Sequence, residues 1–410
     1  MQIKTFRIER KYSCSRAIFR YSLIFSYQIG FGRTVMKRLL CMLCAVVVLT
    51  AAAGAADVTL SAPSAILMEK ETGTVLYTKE EHAKLEPASV TKVMTLLLVM
   101  EAIDSGALSW DDTVTASAHA CSMGGSQIWL KENEQMSVRD MVKAVCVVSA
   151  NDCAVALAEQ VGGSEENFVS KMNARAKELG MNDTSFKNAT GLPAEGHVTS
   201  AHDIALMSRE LILKHPDIRQ FTTIWMDTLR DGASSLVNTN KLIRFYQGAT
   251  GLKTGSTDSA LYCLSGTAEK DGMELIAVIM KAPTSAQRFE DAKALLNYGF
   301  AGWALTKVNP DEALPPIDVT LGAKSTVQPL LSGGNSLLLP KEQAANLEKS
   351  VTLLESVEAP VEEGQQLGEL TVTSGEETVA TLPIVAGETV PRLTWGQMAL
   401  RLFRAGFLAG

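Results

Sequence analysis

Several signatures of common enzyme classes are missing from this 410-residue sequence. Its five histidines lie apart and form no His-Glu-x-x-His pattern. Its seven cysteines lack the spacing of a metal site, and no internal repeat is present. The sequence therefore predicts chemistry that uses neither a metal ion nor a cofactor.

Basic residues are concentrated at the N-terminus and are scarcer in the rest of the chain. The first 56 residues carry nine Lys and Arg and one Glu, so the chain after them has a net charge of −15, against −7 for the whole sequence. An acidic body of this kind argues against nucleic-acid binding. We expect no nucleic-acid partner.

Residues 36–56 have the layout of a secretory signal. Met36-Lys37-Arg38 is a charged start, Leu39 to Thr50 is an apolar run, and Ala51 to Ala56 is an exit of small residues. The alternative is a transmembrane anchor, but the apolar run is shorter than the ~20 residues that a span needs. We expect 1–56 to be an N-terminal extension plus signal peptide, with Met36 as the true start, and the mature chain to be secreted across the cytoplasmic membrane.

Four cysteines remain after this segment, and none of them has a metal-site neighbour in the sequence. Their scatter through apolar sequence predicts buried small hydrophobic side chains. The sequence leaves open whether any two of them form a disulfide. They are Cys121, Cys146, Cys153 and Cys263.

The most informative stretch is Pro87-Ala88-Ser89-Val90-Thr91-Lys92, which an apolar run follows. Proline suits the first turn of a helix, and the run predicts a buried helix to about Ile103. Ser89 and Lys92 would then lie on one face, where the amine could activate the hydroxyl and the helix N-terminus could stabilise an oxyanion. This pair alone is weak, because an ordinary helix start with a solvated lysine has the same pattern.

Two further motifs follow in order along the chain. Ser149-Ala150-Asn151 lies at a break between two apolar helices, where a hydroxyl and an amide can point into a cleft, although a helix cap is the alternative. Lys253-Thr254-Gly255 lies in a predicted strand and offers a positive charge, a hydroxyl and a close backbone approach, although a plain strand lysine is the alternative. The three motifs in this order are far more specific than any one of them.

The order of predicted elements indicates an α+β fold. A hairpin comes first, helices follow, and a strand meander with a closing helix ends this part, as expected for helices packed around a central antiparallel sheet. After Trp303 the sequence turns to short alternating segments with many turn signals, which predicts a small all-β, sandwich-like domain over 304–390. The predicted helices are 138–148, 152–161, 164–179, 200–214 and 285–298, and the predicted strands are 66–69, 73–77, 252–257, 260–267 and 273–280.

The last stretch, 391–410, predicts a basic amphipathic helix that is too short to span a membrane. Such a helix is typical of one lying in a membrane interface, and docking on the protein's own β domain is the alternative. One face carries Trp395, Met398, Ala399, Leu402, Phe403 and Phe407, and the other carries Thr394, Gln397, Arg401 and Arg404.

The ordered motifs Ser-x-x-Lys, Ser-x-Asn and Lys-Thr-Gly resemble those of the penicillin-recognising serine acyl-transfer enzymes. From about Asp57 to its C-terminus the chain resembles, more narrowly, the low-molecular-mass D-alanyl-D-alanine carboxypeptidases of peptidase family S11, including the sporulation-type members. The resemblance implies a β-lactamase-like catalytic domain at 57–303, before the β-rich domain and the terminal helix. One departure is Cys153, which stands where many relatives have alanine.

The resemblance also implies a role for each motif residue. Ser89 would be the acylated nucleophile and Lys92 its general base. Ser149 would relay a proton to the leaving D-alanine, and Asn151 would orient the substrate amide. The terminal carboxylate would be held by Lys253 and Thr254 beside Gly255, and the backbone N–H groups of Ser89 and Ser256 would form the oxyanion hole.

The implied partners are peptidoglycan stem peptides ending in D-Ala-D-Ala, β-lactams, and a membrane surface contacted by the C-terminal helix. The protein would then be extracytoplasmic and peripherally membrane-anchored. Two alternatives remain at this point. One is a class A-like β-lactamase, which shares the fold, and the other is a non-catalytic cell-wall binding protein.

Overall fold

The computed structural model describes residues 3–5 and 58–408 of the chain. The predicted signal segment lies outside the described residues. Within the described part, none of the helices combines the length and the apolar character that crossing a membrane requires. Cys146, Cys153 and Cys263 are buried, Cys121 is half-buried, and all four are free thiols.

The part from Val58 to Gly302 forms an α+β unit, which confirms the predicted fold class. Of the described residues, those of the short strand β1 (Ile3–Thr5) precede it. Its strands are β2 (Ser64–Glu69), β3 (Val75–Lys79), β4 (Thr113–Thr115), β5 (Gln135–Ser137), β6 (Met226–Leu229), β7 (Ser234–Val237), β8 (Ala249–Thr257), β9 (Leu261–Lys270) and β10 (Met273–Ala282). Its helices are α1 (Lys92–Asp104), α2 (Ala118–Cys121), α3 (Val138–Val148), α4 (Asn151–Gly162), α5 (Glu165–Glu178), α6 (Ala201–Lys214), α7 (Arg219–Thr222), α8 (Leu242–Phe245) and α9 (Ser285–Gly302), with 3₁₀ turns at Ala88–Thr91 and Pro216–Ile218.

A five-stranded antiparallel sheet with the order β3-β2-β10-β9-β8 organises this unit. Successive side chains of a strand point to opposite faces, and both faces of this sheet are buried. Ile66 and Val278 belong to the core shared with α1, α3 and α4, whereas Leu67 and Ala277 pack with α9. Strand β8 lies at the edge, where its side chains and backbone can meet a ligand.

The central helix α1 is apolar on all sides, and its residues from Lys92 to Met100 are buried. A helix of this kind belongs inside a protein rather than on its surface. The sequence prediction of a helix here is confirmed, but the helix begins at Lys92. Ser89 lies before it, in the 3₁₀ turn Ala88–Thr91.

The other long helices and the three consecutive strands β8, β9 and β10 also match the predictions, with small differences at their ends. Helix α9 extends to Gly302, four residues beyond the predicted end. The hairpin of β6 and β7 and the pair of β4 and β5 were not predicted from the sequence. Strands of three or four residues are too short to show a period of two, which explains the omission.

The part after Gly302 is built from strands, as predicted for a β-rich domain. They are β11 (Trp303–Lys307), β12 (Ile317–Thr320), β13 (Thr326–Val327), β14 (Pro329–Leu331), β15 (Ser336–Pro340), β16 (Leu347–Leu354), β17 (Ser356–Glu358), β18 (Gln366–Ser374) and β19 (Glu377–Ala386), with a short helix α10 (Lys341–Ala344). The largest sheet has the order β1-β16-β18-β19-β14, and smaller sheets join β13-β12-β17 and β11-β15. Buried side chains such as Val327, Leu367 and Ile384 form two small cores.

Helix α11 (Trp395–Leu408) ends the described chain. The Arg401 guanidinium lies 3.3 Å from the Gly322 carbonyl oxygen, so the middle of this helix contacts the β-rich part. The Trp395 side chain is nevertheless 88% exposed. Docking on the β-rich part therefore leaves the first apolar residue of the helix in solvent.

Candidate active site

The nucleophile candidate Ser89 lies in a tight turn in front of α1. Ala88, immediately before it, has a φ of +48°, which is uncommon for a residue with a side chain. Ser89 is half-buried, while Ala88 and Val90 beside it are buried. The turn is therefore fixed by its neighbours, and the Ser89 hydroxyl is left at the edge of the core.

Lys92 places its amine directly beside this hydroxyl. Its Nζ lies 2.9 Å from Ser89 Oγ and donates to the Thr190 carbonyl oxygen at 2.7 Å. The side chain is fully buried, and among the described residues it forms no ion pair with a carboxylate. Burial lowers the pKa of Lys92 well below its ordinary value, the charge of Lys253 lowers it further, and Asp152 acts in the opposite direction. A neutral amine is thus favoured where a proton acceptor is needed.

The histidine near this region, His197, does not contact the Ser89 hydroxyl, because both of its ring nitrogens have other hydrogen-bond partners. His197 is buried, accepts at Nδ1 from the Lys187 N–H at 3.0 Å, and lies 2.8 Å through Nε2 from Thr91 Oγ1. The Nε2 atom must then carry the hydrogen and donate to Thr91. Burial lowers the pKa of His197 to about 4, so the ring is neutral and structural.

Ser149 and Asn151 lie at the corner between α3 and α4. Ser149 ends α3 with a φ of +65°, and it is 3% exposed. Its Oγ has no hydrogen-bond partner among the residues that the structure describes, and neither has Asn151 Oδ1. Buried polar atoms normally have partners, so two orphaned ones at one corner indicate atoms held ready for a ligand.

A loop before α3 holds Asn151 in place. Asn151 donates from Nδ2 to the Gly124 carbonyl oxygen at 2.6 Å and from its backbone N–H to the Ser126 carbonyl oxygen at 2.7 Å. Because a carbonyl only accepts, these contacts assign Nδ2 and leave Oδ1 free. The next residue, Asp152, is fully buried, and its carboxylate accepts the N–H groups of Ile128 and Leu130. Asp152 thereby holds the loop in place, and the loop in turn holds the Asn151 side chain.

Gly125 offers a direct test of this arrangement. An added Cβ would lie 3.0 Å from Asn151 Nδ2, so Gly125→Ala is expected to displace the amide and slow acylation by a β-lactam by roughly tenfold. The control is Gly163→Ala, at the other end of α4, where φ is also positive but no atom lies within 4 Å of the added Cβ. Stopped-flow acylation rates should differ between the two variants; equal rates would show that the loop does not orient Asn151.

Strand β8 brings the third motif to the same place. Lys253 and Thr254 are 1% and 5% exposed. Burial lowers the pKa of Lys253 to about 7, with Cys146 raising it and Arg288 lowering it. Thr254 Oγ1 lies 2.7 Å from Thr239 Oγ1, and the Thr239 N–H donates to the Val147 carbonyl oxygen. This path links the strand to the end of α3, two residues before Ser149.

Gly255 lets β8 approach the nucleophile turn. An added Cβ there would lie 2.8 Å from both the Pro87 carbonyl oxygen and the Ser89 nitrogen. Arg288, on α9, donates to the Gly255 carbonyl oxygen at 3.1 Å from behind the strand. The backbone of Gly255 and exposed Ser256 is therefore held against Ser89 from both sides.

The structure brings segments of all three motifs into one region. Ser89 and Lys92 are in direct contact, the charges of Asp152 and Lys253 both act on Lys92, and Gly255 packs on the Ser89 turn. Sequence reasoning missed the supporting residues Thr190, Thr239 and Arg288, because a carbonyl, a hydroxyl and a distant guanidinium carry no local signature. Asp152 is a further supporting residue and stands next to the Ser-x-Asn motif. Its carboxylate in the first turn of an apolar helix was the one feature of the sequence that could have indicated a supporting role.

Comparisons with known proteins place the chain among described families. Residues 50–284 match the family model described as D-alanyl-D-alanine carboxypeptidase, and residues 308–392 match the model of the C-terminal domain of penicillin-binding protein 5. D-alanyl-D-alanine carboxypeptidase DacF of Bacillus subtilis is 42% identical over 336 residues, which cover 81% of this chain and 86% of that protein.

Two solved structures are informative relatives. Penicillin-binding protein 5 of Haemophilus influenzae has a TM-score of 0.72 at 28% identity and covers 82% of this chain and 98% of its own. Penicillin-binding protein D2 of Listeria monocytogenes, solved in an ampicillin-bound form, has a TM-score of 0.55 at 36% identity. It covers 60% of this chain and 99% of its own.

Proposed function

The chain belongs to the D-alanyl-D-alanine carboxypeptidases of peptidase family S11, and we propose that it removes the terminal D-alanine of peptidoglycan stem peptides through an acyl-enzyme on Ser89. Its activity is that of a serine-type D-alanyl-D-alanine carboxypeptidase, and its family acts outside the cytoplasm on the cell wall. The single observation that carries the assignment of the nucleophile is the 2.9 Å contact between Ser89 Oγ and a buried lysine amine.

The first step is acylation. Neutral Lys92 accepts the hydroxyl proton while Ser89 Oγ attacks the carbonyl carbon of the penultimate D-alanine. The oxyanion that forms is stabilised by the backbone N–H groups of Ser89 and Ser256. Ser149 passes its hydroxyl proton to the nitrogen of the terminal D-alanine and receives the proton that Lys92 took from Ser89, so Lys92 is neutral again. The peptide bond breaks, and an ester remains on Ser89.

The second step is hydrolysis of this ester. A water molecule attacks the ester carbonyl carbon and gives its proton to Lys92, and the proton then returns to Ser89 as the product leaves. Asn151 orients the substrate amide through its free Oδ1. Lys253 and Thr254 hold the terminal carboxylate, whose charge identifies a chain end.

A β-lactam enters the first step in the same way, because its ring carbonyl and its carboxylate resemble those of the substrate. The lactam C–N bond breaks instead of the peptide bond, and the leaving nitrogen stays attached. It blocks the approach of water, so a long-lived adduct forms.

Ser89→Ala tests the nucleophile. The wild-type protein is expected to gain one covalent adduct with a fluorescent penicillin, located at Ser89 by peptide mass spectrometry. The variant should gain none and should lose carboxypeptidase activity, because the attacking oxygen is gone. An adduct that persists in Ser89→Ala would place the nucleophile elsewhere.

The alternative of a class A-like β-lactamase is weaker than the carboxypeptidase. The match to the C-terminal domain of penicillin-binding protein 5 and the names of the relatives favour the carboxypeptidase. A non-catalytic cell-wall protein has no need of a buried, unpaired lysine at a serine. Rapid turnover of penicillin instead of a stable adduct is the result that would favour the lactamase.

We infer that α11 attaches the protein to a membrane surface. Deleting Trp395–Gly410 is expected to move the protein from the membrane fraction to the soluble fraction, because the exposed apolar side chains of the helix are removed. Residues up to Thr394 should be kept, since the Leu393 N–H donates to the Leu321 carbonyl oxygen in the β-rich part. Penicillin labelling should be unchanged; a truncated protein that stays with the membrane contradicts the inference.

A further inference from the structure

Trp129 stands out in the loop that holds Asn151. Its side chain is 74% exposed, whereas Ile128 and Leu130 on either side are 6% and 5% exposed. Its backbone φ is +61°, a conformation that is a true outlier for a bulky residue. Strain of this kind persists only where the surrounding structure enforces it, and it is concentrated at functional sites.

The surroundings of Trp129 do enforce its conformation. The Asp152 carboxylate accepts the N–H groups of Ile128 and Leu130, at 3.1 and 3.0 Å. The Arg230 guanidinium donates to the Ile128 carbonyl oxygen at 2.9 Å. The backbone is thus bound on both sides of Trp129, and the indole is presented to solvent by a rigid loop.

The indole forms part of the wall of an open cleft of about 620 Å³. This volume is in the range of sites that bind small molecules. Most of the other lining residues have polar or charged side chains, with Ile128 as the apolar exception, and the Arg230 guanidinium is fixed there by Glu134 at 2.7 Å and Ser234 at 3.0 Å. The lining includes Lys131, Asn133, Glu134, Arg230 and Ser234.

One flat aromatic ring within a rim of hydrogen-bonding groups is the arrangement that a sugar ring requires. The C–H face of a pyranose packs on an indole, and its hydroxyl and acetamido groups bond to the polar rim. A protein partner would need a broader apolar surface, and an anionic membrane would need a rim of one positive sign. Here Lys131 stands beside Glu132 and Glu134, so the rim carries charges of both signs and does not fit an anionic membrane.

We propose that the Trp129 cleft is a saccharide subsite that binds the glycan strand to which the stem peptide is attached. This inference rests on the proposed function, because the glycan strand is the part of that substrate to which the stem peptide is attached. Trp129 is five residues from Gly124, whose carbonyl oxygen holds the Asn151 amide. The loop that carries Trp129 therefore also contacts the catalytic site, through Asn151.

The test compares two substrates on the full-length protein. One is a short soluble peptide ending in D-Ala-D-Ala, and the other is the same stem attached to an oligomeric glycan strand. Trp129→Ala is expected to lower kcat/KM roughly tenfold on the glycan-linked substrate, mainly through KM, and to leave the short peptide unchanged. Trp129→Phe, which keeps an aromatic face, should recover most of the loss.

Trp395→Ala is the matched control, since Trp395 is 88% exposed but lies in the C-terminal helix. It should leave both substrates unchanged. Titration with an N-acetylglucosamine tetrasaccharide should alter the tryptophan fluorescence of wild type and of Trp395→Ala, but not that of Trp129→Ala.

Equal kcat/KM of Trp129→Ala and wild type on the glycan-linked substrate would overturn the saccharide inference alone. A loss on both substrates would also overturn it, because Trp129 would then support the catalytic site instead. Failure of the wild-type protein to hydrolyse the short peptide would instead count against the proposed function.

Discussion

Lys92→Met is expected to lower the rate of Ser89 acylation by benzylpenicillin by about 10²- to 10⁴-fold, the contribution typical of a positioned general base. Methionine fills a similar buried volume, so the fold should survive the change. The measurement is the second-order acylation rate by stopped flow. A variant that keeps its rate within about tenfold of wild type would show that the proton goes to another group.

The same substitution has a second readout in stability. Burial lowers the pKa of Lys92 in the folded protein, while the unfolded chain keeps the ordinary value of 10.5. Between these two values the unfolded state binds more protons, so the free energy of unfolding rises with pH. Lys92→Met removes this contribution, and its stability should therefore rise less steeply with pH than that of wild type.

The control for both readouts is Lys177→Met. Lys177 is exposed on α5, away from the three motifs. It should match wild type in acylation rate and in the pH dependence of unfolding measured by denaturant titration. A Lys92→Met protein with the wild-type pH dependence would mean that the amine is not held neutral in the folded state.

The motif residues could be predicted from the sequence because each motif is short and local. Ser89 and Lys92 are three residues apart, and Lys253, Thr254 and Gly255 are consecutive, so the residues of each motif lie close together in any compact fold. The order of the three motifs then identified the family, and the family implied the fold. The role of each motif in the site was implied by the resemblance alone, because contacts between distant segments leave no pattern within either segment.

The supporting contacts could not be predicted for the same reason. Thr190 contributes a backbone carbonyl oxygen to Lys92 across 98 residues of chain, and any residue type has such an oxygen. Thr239 contacts Thr254 through a hydroxyl in an irregular segment after a four-residue strand. The 3₁₀ turn at Ser89 was predicted as regular helix, because its departure depends on β8 packing against the turn.

Gly191 is a further residue that the sequence did not distinguish, and its substitution should have a large effect. It has a φ of +83°, and an added Cβ would lie 1.8 Å from the Ala88 carbonyl oxygen and 2.8 Å from Thr91 Oγ1. The turn that presents Ser89 must therefore move if any side chain is added. Gly191 also follows Thr190, whose carbonyl oxygen accepts from the Lys92 amine, so both partners of the Ser89–Lys92 contact would shift.

Gly191→Ala is accordingly expected to reduce acylation of Ser89 by at least about 10²-fold, since a displacement of about 1 Å at reacting atoms has this cost. The control is Gly180→Ala, where φ is +76° and no atom lies within 4 Å of the added Cβ. It carries only the backbone strain, about 1–2 kcal/mol, and should acylate at the wild-type rate. Rates measured at a temperature where both variants are folded by circular dichroism separate the two effects. If Gly191→Ala folds and acylates as fast as Gly180→Ala, the Ser89 turn does not depend on the close approach of this glycine.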